Sequence, residues 1–443
     1  MPASTPHHRP DRRASHAVDP HGAPRPQAPS GEYDAVVVGA RCAGAATAML
    51  LARRGLRVLV LERARRGTDT LSTHALMRGG ATLLHRWGLL DRIAAAGTPP
   101  VRRTRFHYPG ETVTVSIKPA AGVDALYAPR RTLLDSMLVD AAVAAGAEVR
   151  FGVAVTDLVR DSGGRVTGVV GRARSGDPVR VRARLTVGAD GARSLVARRA
   201  GARTEHVGTG AGAIVYGYWT GLPTDGYEWF YRPGGSAGLI PTDDGRVCLF
   251  TGVPADRFAR EVAGDLRRGY RRLAAEIAGQ AGDRLAAAEA PRRLHAFPGR
   301  AGFLRGAWGP GWALVGDAGG FLDPLSTHGM TDALRDAHLL EQAVAEMLRG
   351  AAEHEALARY QFRRDRLCGP IFKVADRLAG YRWDVAEVQG LLREMSSAIS
   401  KETEALSEAL SEALSEALSP AGTMSEQRQI ITNAHYGEWR SAT

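Results

Sequence analysis

The first sustained apolar signal in the chain is the stretch YDAVVVGARCAGAATAMLLARRGLRVLVLER. Ala35–Val38 is an unbroken apolar run, as expected of a strand buried on both faces, and Gly39 ends it. Ala43–Arg54 has helical composition, with Gly55 in the position of a C-terminal stop. Leu56–Leu61 is a second apolar run, closed by Glu62. Together they predict a strand–turn–helix–strand unit of about 30 residues, the size of a right-handed βαβ crossover.

Further along, Val101–Ile117 reads as two strands around Pro109-Gly110, with Val113, Val115 and Ile117 alternating. Thr132–Ala145 is predicted as a helix ended by Gly146. Glu148–Arg160 and Arg165–Arg172 pattern as a hairpin over Ser162-Gly163-Gly164, and Val179–Val187 as a strand running into GADG. Ala213–Val253 is mostly β and rich in aromatics; Asp256–Ala288 is helical. Trp312–Val315 reads as a short buried strand and Gly329–Leu348 as a long helix. In TEALSEALSEALSEALSP, Leu406, Leu410, Leu414 and Leu418 recur every four residues. A helix turns every 3.6 residues, so this stripe drifts by roughly 40° per step. It lacks heptads and predicts a low-complexity amphipathic helix stopped by Pro420.

Composition narrows the class. At 443 residues the chain has room for two or three domains. No apolar stretch approaches the roughly 20 residues that span a bilayer. The first 30 residues are rich in Pro, His and Arg and have no apolar core, so they read as a disordered tail and not as a secretory signal. Cys42, Cys248 and Cys368 are scattered, which predicts a reduced, cytoplasmic protein with neither a disulfide framework nor a metal site. The net charge of +11 comes from arginines interspersed with acids, without a basic block. Nucleic acid is therefore not an expected partner; an anionic cofactor is.

Gly39-Ala40-Arg41-Cys42-Ala43-Gly44 fills the place of G-x-G-x-x-G at a strand–helix junction. The first glycine permits a tight turn, the last lets helix pack on strand, and the helix N-terminus offers N–H groups to a pyrophosphate. Glu62 stands where a carboxylate would accept from a ribose diol. Arg41 replaces the middle glycine, which puts the pyrophosphate geometry in question. Two further glycine–acid pieces follow: Asp190-Gly191 in LTVGADGARSLVARRAGA, and Asp317 in WALVGDAGGFLDPLSTHGMTDALRDAHLL. A third site along an extended ligand favours FAD over NAD, which has no ribityl chain.

In this order and spacing, over residues 33–345, the three motifs resemble the flavoprotein aromatic hydroxylase superfamily with the p-hydroxybenzoate hydroxylase fold. That resemblance implies an α/β protein: a Rossmann-like FAD-binding domain (GR2-type, parallel sheet), an inserted β-rich substrate domain and a helical C-terminal region. The expected division is a tail over 1–30, a discontinuous FAD domain over 31–100, 130–203 and 291–345, a substrate domain over 101–129 and 204–290, and a helical region over 346–443. The resemblance assigns Gly39, Arg41, Gly44, Glu62, Arg63, Arg131, Asp190 and Asp317 to the cofactor, together with Pro324, Gly329 and Met330 beside the flavin ring.

It also implies an FAD-dependent monooxygenase of secondary metabolism that hydroxylates or epoxidises an aromatic or polycyclic molecule. NAD(P)H would be a transient electron donor, and O2 would react through a flavin C4a-hydroperoxide. Halogenases and geranylgeranyl reductase-like enzymes share the fold, so a reductase, dehydrogenase or halogenase fed by a separate flavin reductase is the alternative. Against halogenation, Ser236-Ala237-Gly238-Leu239-Ile240-Pro241 lacks both tryptophans of the halogenase Trp-x-Trp-x-Ile-Pro stretch. Lysine occurs only at 118, 373 and 401, and none lies in Arg63–Arg86. The reductase motif Tyr-x-Trp-x-Phe-Pro is not matched either. The candidate pocket residues are Tyr216, Tyr218, Trp229, Tyr231 and His295. His74 and His328 are the candidate proton carriers. They end the two copies of Leu-Ser-Thr-His, at 71–74 and 325–328, which are expected to meet over one flavin.

Overall fold

The computed structural model describes residues 32–418; the expected N-terminal tail and the stop at Pro420 lie outside them. The apolar runs pair as the hydrophobic pattern requires. Tyr33–Val38 lies between Val58–Glu62 and Pro178–Gly188, parallel to both, in an eight-stranded sheet. Glu148–Phe151 extends the sheet beyond Val58–Glu62, and Trp312–Leu314 beyond Pro178–Gly188. Helices Cys42–Arg53, Arg131–Ala144 and Gly329–Leu348 share a core cluster with this sheet. The almost all-small face of Cys42–Arg53 (Cys42, Ala43, Gly44, Ala45, Ala46) is what lets it approach so closely.

A second sheet of seven strands carries the aromatics. Its order is His295–Phe297, Gly212–Thr220, Arg246–Pro254, Gly235–Pro241, Tyr227–Arg232, Arg103–Tyr108 and Glu111–Ser116. Tyr227, Trp229 and Tyr231 alternate with Phe230. The former pack toward Leu322, Leu325 and Trp383, and Phe230 packs toward the helical layer that includes Phe258 and Leu273.

Three expectations change. The run Glu148–Arg160 is two strands, because Gly152 turns left-handed (φ +75°); the first strand joins the parallel sheet and the second forms the hairpin. Thr204–Val207 pairs with Phe303–Arg305 in a small third sheet and not with the aromatic sheet. His295–Phe297 crosses the boundary expected at 291, since it hydrogen-bonds along Ile214–Tyr216. The C-terminal region is two long helices, Glu353–Ala379 and Val385–Leu418. The second includes the SEAL repeat and buries Glu402 and Leu406, each 1% exposed. No helix among the described residues is long and apolar enough to cross a membrane.

Candidate functional site

The dinucleotide turn explains its own sequence. Gly39 has φ +107°, and a Cβ there would stand 2.5 Å from the Ala189 carbonyl oxygen. A Cβ on Gly44 would stand 1.9 Å from the Gly39 oxygen, so the helix rests directly on the turn. The middle position needs no glycine: Arg41 is the helix N-cap in extended backbone, φ −86°. Its guanidinium turns aside, donating to the Asp69 carbonyl at 3.2 Å and lying 3.7 Å from Asp135 Oδ2. Arg41 Nη1 and Asp135 Oδ2 are both buried without a hydrogen-bond partner. Glu62 Oε2 and Oε1 accept from the Ala40 and Ala64 N–H groups, both at 2.8 Å, which fixes the carboxylate and leaves lone pairs for a ribose. Ala40, Arg41, Glu62, Thr68 and Arg131 line one groove. Arg131 is held there by Asp135, at 3.0 and 2.9 Å. Arg63 is exposed and outside that lining; Arg65 and Arg66 are in it.

The other two acids differ in kind. Asp190 is committed to its own chain: it accepts from the N–H groups of Leu195 (2.6 Å) and Val196 (3.3 Å) and from the Ser194 hydroxyl, capping helix Leu195–Ala200. Asp317 has no hydrogen bond from any described residue, and burial pushes its carboxyl up to about 6. Gly316, left-handed at φ +57° and packed against Ala43, delivers Asp317 to the end of its strand. The Gly316 N–H is held by Asp336 Oδ2 at 2.9 Å. Asp317 Oδ1 would be 4.0 Å from a Cβ on Gly329, which is exposed at the N-terminus of Gly329–Leu348. A carboxylate without a partner beside a positive helix end is an arrangement for a polar ligand. A glycine-cradled turn, orphaned polar atoms at Arg41 and Asp135, a fixed Glu62 and a free Asp317 fit the ADP and ribityl parts of FAD.

The two LSTH segments share one hydrogen bond but not one backbone conformation. Ser72 Oγ accepts from the His74 N–H at 3.1 Å, and Ser326 Oγ from the His328 N–H at 3.3 Å. Each also holds a left-handed non-glycine residue, His74 at φ +68° and Thr327 at φ +53°. Their histidines then diverge and share no partner. His74 is 1% exposed and its Nε2 hydrogen-bonds Tyr218 Oη. Burial, with Arg131 and Arg130 nearby, holds it well below the usual histidine range, so it is neutral. His328 is fully buried, with Nε2 2.5 Å from Glu402 Oε2. Burial disfavours its charge, but the Glu402 and Asp332 carboxylates outweigh that and raise it.

His328 therefore differs in setting from His74. Its ring is fully buried in an ion network, whose Glu402 borders a cleft at the C-terminal helices and not the cavity of Tyr218 and His295. Arg335 donates to Glu402 Oε1 (2.7 Å), to Asp336 Oδ1 (2.7 Å) and to Asp332. His328, Asp332 and Glu402 each present a ligand atom within 4.8 Å of the others, but the Arg335 guanidinium already supplies the positive charge there. Sequence reasoning missed this network. Asp332, Arg335 and Asp336 stand at helical spacing in TDALRDAHLL and were a signal; Glu402, on a distant polar helix, was not. Asp323 was also missed. It is 2% exposed, accepts from the N–H groups of Gly212 (2.8 Å) and Leu325 (3.0 Å), and is pushed by burial up to about 7. It ties the loop of Pro324, which is half-buried, to the aromatic sheet, while Met330 is buried beyond it.

Of the candidate pocket residues, Tyr216, Tyr218 and His295 meet His74. Tyr216 stacks on His295 with centroids 4.8 Å apart, and Tyr218 lies edge-on to both. Tyr216 Oη accepts from the Ser72 N–H at 3.2 Å. Arg130 sits over the Tyr218 ring at 4.6 Å. Tyr218 and His295 line a cavity of 430 Å³ together with Asp69 and Arg130. Thr68 lines the dinucleotide groove and its neighbour Asp69 the cavity, so the two are separated by one residue of chain. Trp229 and Tyr231 are elsewhere. Trp229 donates to Thr104 Oγ1 at 2.8 Å, and Tyr231 packs between Tyr108 and Trp383 in the apolar interior.

Residues 32–371 match the FAD binding domain family. The menaquinone reductase of Mycolicibacterium smegmatis is 30% identical over 331 residues, covering 69% of this chain and 75% of that one. Among solved structures, the flavin-dependent brominase Bmp2 superposes with a TM-score of 0.71 at 19% identity, over 86% of this chain and 100% of that one. PqsL, a probable FAD-dependent monooxygenase from Pseudomonas aeruginosa, gives 0.70 at 24% identity, over 82% and 100%. These two likenesses are of fold.

Proposed function

The chain belongs to the FAD binding domain family and is an FAD-dependent oxidoreductase, and from that premise we propose a monooxygenase that hydroxylates or epoxidises an aromatic or polycyclic small molecule. O2 is the oxidant and NAD(P)H the transient donor. One observation carries this reading: Tyr218 and His295 line a cavity whose Asp69 directly follows Thr68 of the dinucleotide groove, with Tyr216 packed on both rings and His74 bonded to Tyr218.

Bound FAD supplies electron transfer and oxygen activation; the chain supplies the rest. Gly39, Arg41, Gly44, Glu62 and Arg131 would hold the ADP part, and Asp317 the ribityl hydroxyls. Gly329, exposed at the positive end of its helix, would stabilise negative charge on a bound flavin. Tyr218 and His295, backed by buried Tyr216, present aromatic surface to a flat substrate. His74, held neutral by burial and the neighbouring arginines, is hydrogen-bonded to Tyr218 and would orient that phenol at the cavity wall.

The test is purified protein with its flavin spectrum, NAD(P)H and O2 consumption over a panel of phenols, and products formed under ¹⁸O2. One labelled oxygen per product supports the reading. The likeness to the menaquinone reductase favours a second reading, reduction of an alkene in a prenylated substrate. It predicts a product gaining two hydrogens and no label.

A further inference from the structure

The cavity beside His74 carries charge that the protein leaves unbalanced. Four guanidiniums line it, those of Arg130, Arg246, Arg292 and Arg293, against the two carboxylates of Asp69 and Glu289. Asp69 is already engaged: it accepts from the Thr70 N–H at 2.8 Å and lies 3.5 Å from Arg130. Arg130 is further drawn toward Asp244, at 3.7 Å, and stacks on Tyr218. The side chains of Arg246, Arg292 and Arg293 form no hydrogen bond or ion pair with any described residue, and all three are exposed. Other arginines of the chain are neutralised by acids: Arg257 binds Glu261 and Glu276, Arg165 binds Glu353, and Arg284 binds Glu228. Like charges gathered at one mouth repel, and their field concentrates anions there.

We propose that the ring-bearing substrate of the oxidation is an anion, a carboxylate or phosphate ester, whose charged group is held by Arg246, Arg292 and Arg293 while its ring lies toward Tyr218 and His295. The proposal rests on the reading of this cavity as the substrate site. Guanidinium forks suit the planar, two-oxygen face of a carboxylate, and Arg293 stands two residues before His295, so one short segment presents both the charge and the ring contact. Specificity is then set at the mouth by charge and inside by shape. The phosphates of the dinucleotide donor share this chemistry, and the experiment separates the two.

Calorimetric titration of the purified holoenzyme uses salicylate, phenyl phosphate and the neutral salicylamide. The charged probes should bind about tenfold or more tightly than the amide. The triple variant R246Q/R292Q/R293Q, at exposed positions, should lose about that factor for the charged probes alone. Equal affinity for charged and neutral probes overturns the proposal, as does failure of all charged probes to bind. The rate of flavin reduction by NADPH is measured on the same samples. A variant that slows this step and leaves salicylate affinity intact assigns the arginines to the donor and overturns the substrate assignment. Absence of oxygen transfer, with selective binding of the charged probes retained, would sink the monooxygenase reading and leave the anion site standing.

Discussion

Replacing Glu402 by alanine tests whether the terminal helix is part of the flavin site. Glu402 is 1% exposed, accepts from Arg335 Nη1 at 2.7 Å and pairs with His328 Nε2 at 2.5 Å. Removing one partner of a buried ion pair costs about 3–5 kcal/mol, because the other charge stays buried. Arg335 keeps Asp332 and Asp336, and His328 can shed its proton, so the lower end, about 3 kcal/mol, is expected. That energy corresponds to roughly a hundredfold increase in local opening of the helix. Hydrogen exchange read by mass spectrometry over 395–406 should therefore accelerate by about that factor. The loss should reach the cofactor too, since His328 precedes Gly329 and Asp336 holds the Gly316 N–H at 2.9 Å, so FAD retention should fall. Glu402→Gln, which keeps shape and hydrogen bonding, should lose less. Unchanged exchange in the alanine variant, or equal damage from glutamine, would refute the argument.

Three shorter predictions follow from other residues. Gly44→Ala places a methyl 1.9 Å from the Gly39 oxygen, so the purified variant should carry little FAD by its 450 nm absorbance; a full complement would contradict the packing argument. Asp323, raised by burial to about 7, contributes stability that is present below the ordinary carboxyl range and is lost as pH rises through 7. Asp323→Asn should flatten the fall in melting temperature between about pH 4 and 7, whereas parallel curves for variant and parent would dismiss the shift. Tyr218→Phe strips the partner from His74 Nε2 and leaves a buried ring nitrogen unpaired, a cost of about 1–3 kcal/mol. Turnover should drop with FAD content intact; unchanged kcat would remove Tyr218 and His74 from the chemistry.

The nucleotide end of the site was legible because its signals are local. A glycine that must turn left-handed at 39, a glycine crowded to 1.9 Å at 44 and a carboxylate closing the second strand lie within 24 residues of one another. Arg41 looked like a departure from the motif. Its backbone is ordinary extended chain, so the turn itself places no conformational demand for glycine there, and only the geometry of the turn could say so. The two copies of LSTH share the serine-to-histidine hydrogen bond, which depends on the local hydroxyl, but differ in backbone, left-handed at His74 in one and at Thr327 in the other.

The sequence by itself determined most of the elements, the parallel order of the first strands and the glycine turn between them, since each depends on periodicity or on conformations available to few residue types. Tertiary structure alone decided which way side chains of equal chemistry face. It sent His74 to Tyr218 and His328 to Glu402, 74 residues further on. It also left Asp317 free while Asp190 was consumed by a cap. A histidine or an aspartate acquires its role from burial and partners, and partners brought from distant segments leave no periodic trace in the chain.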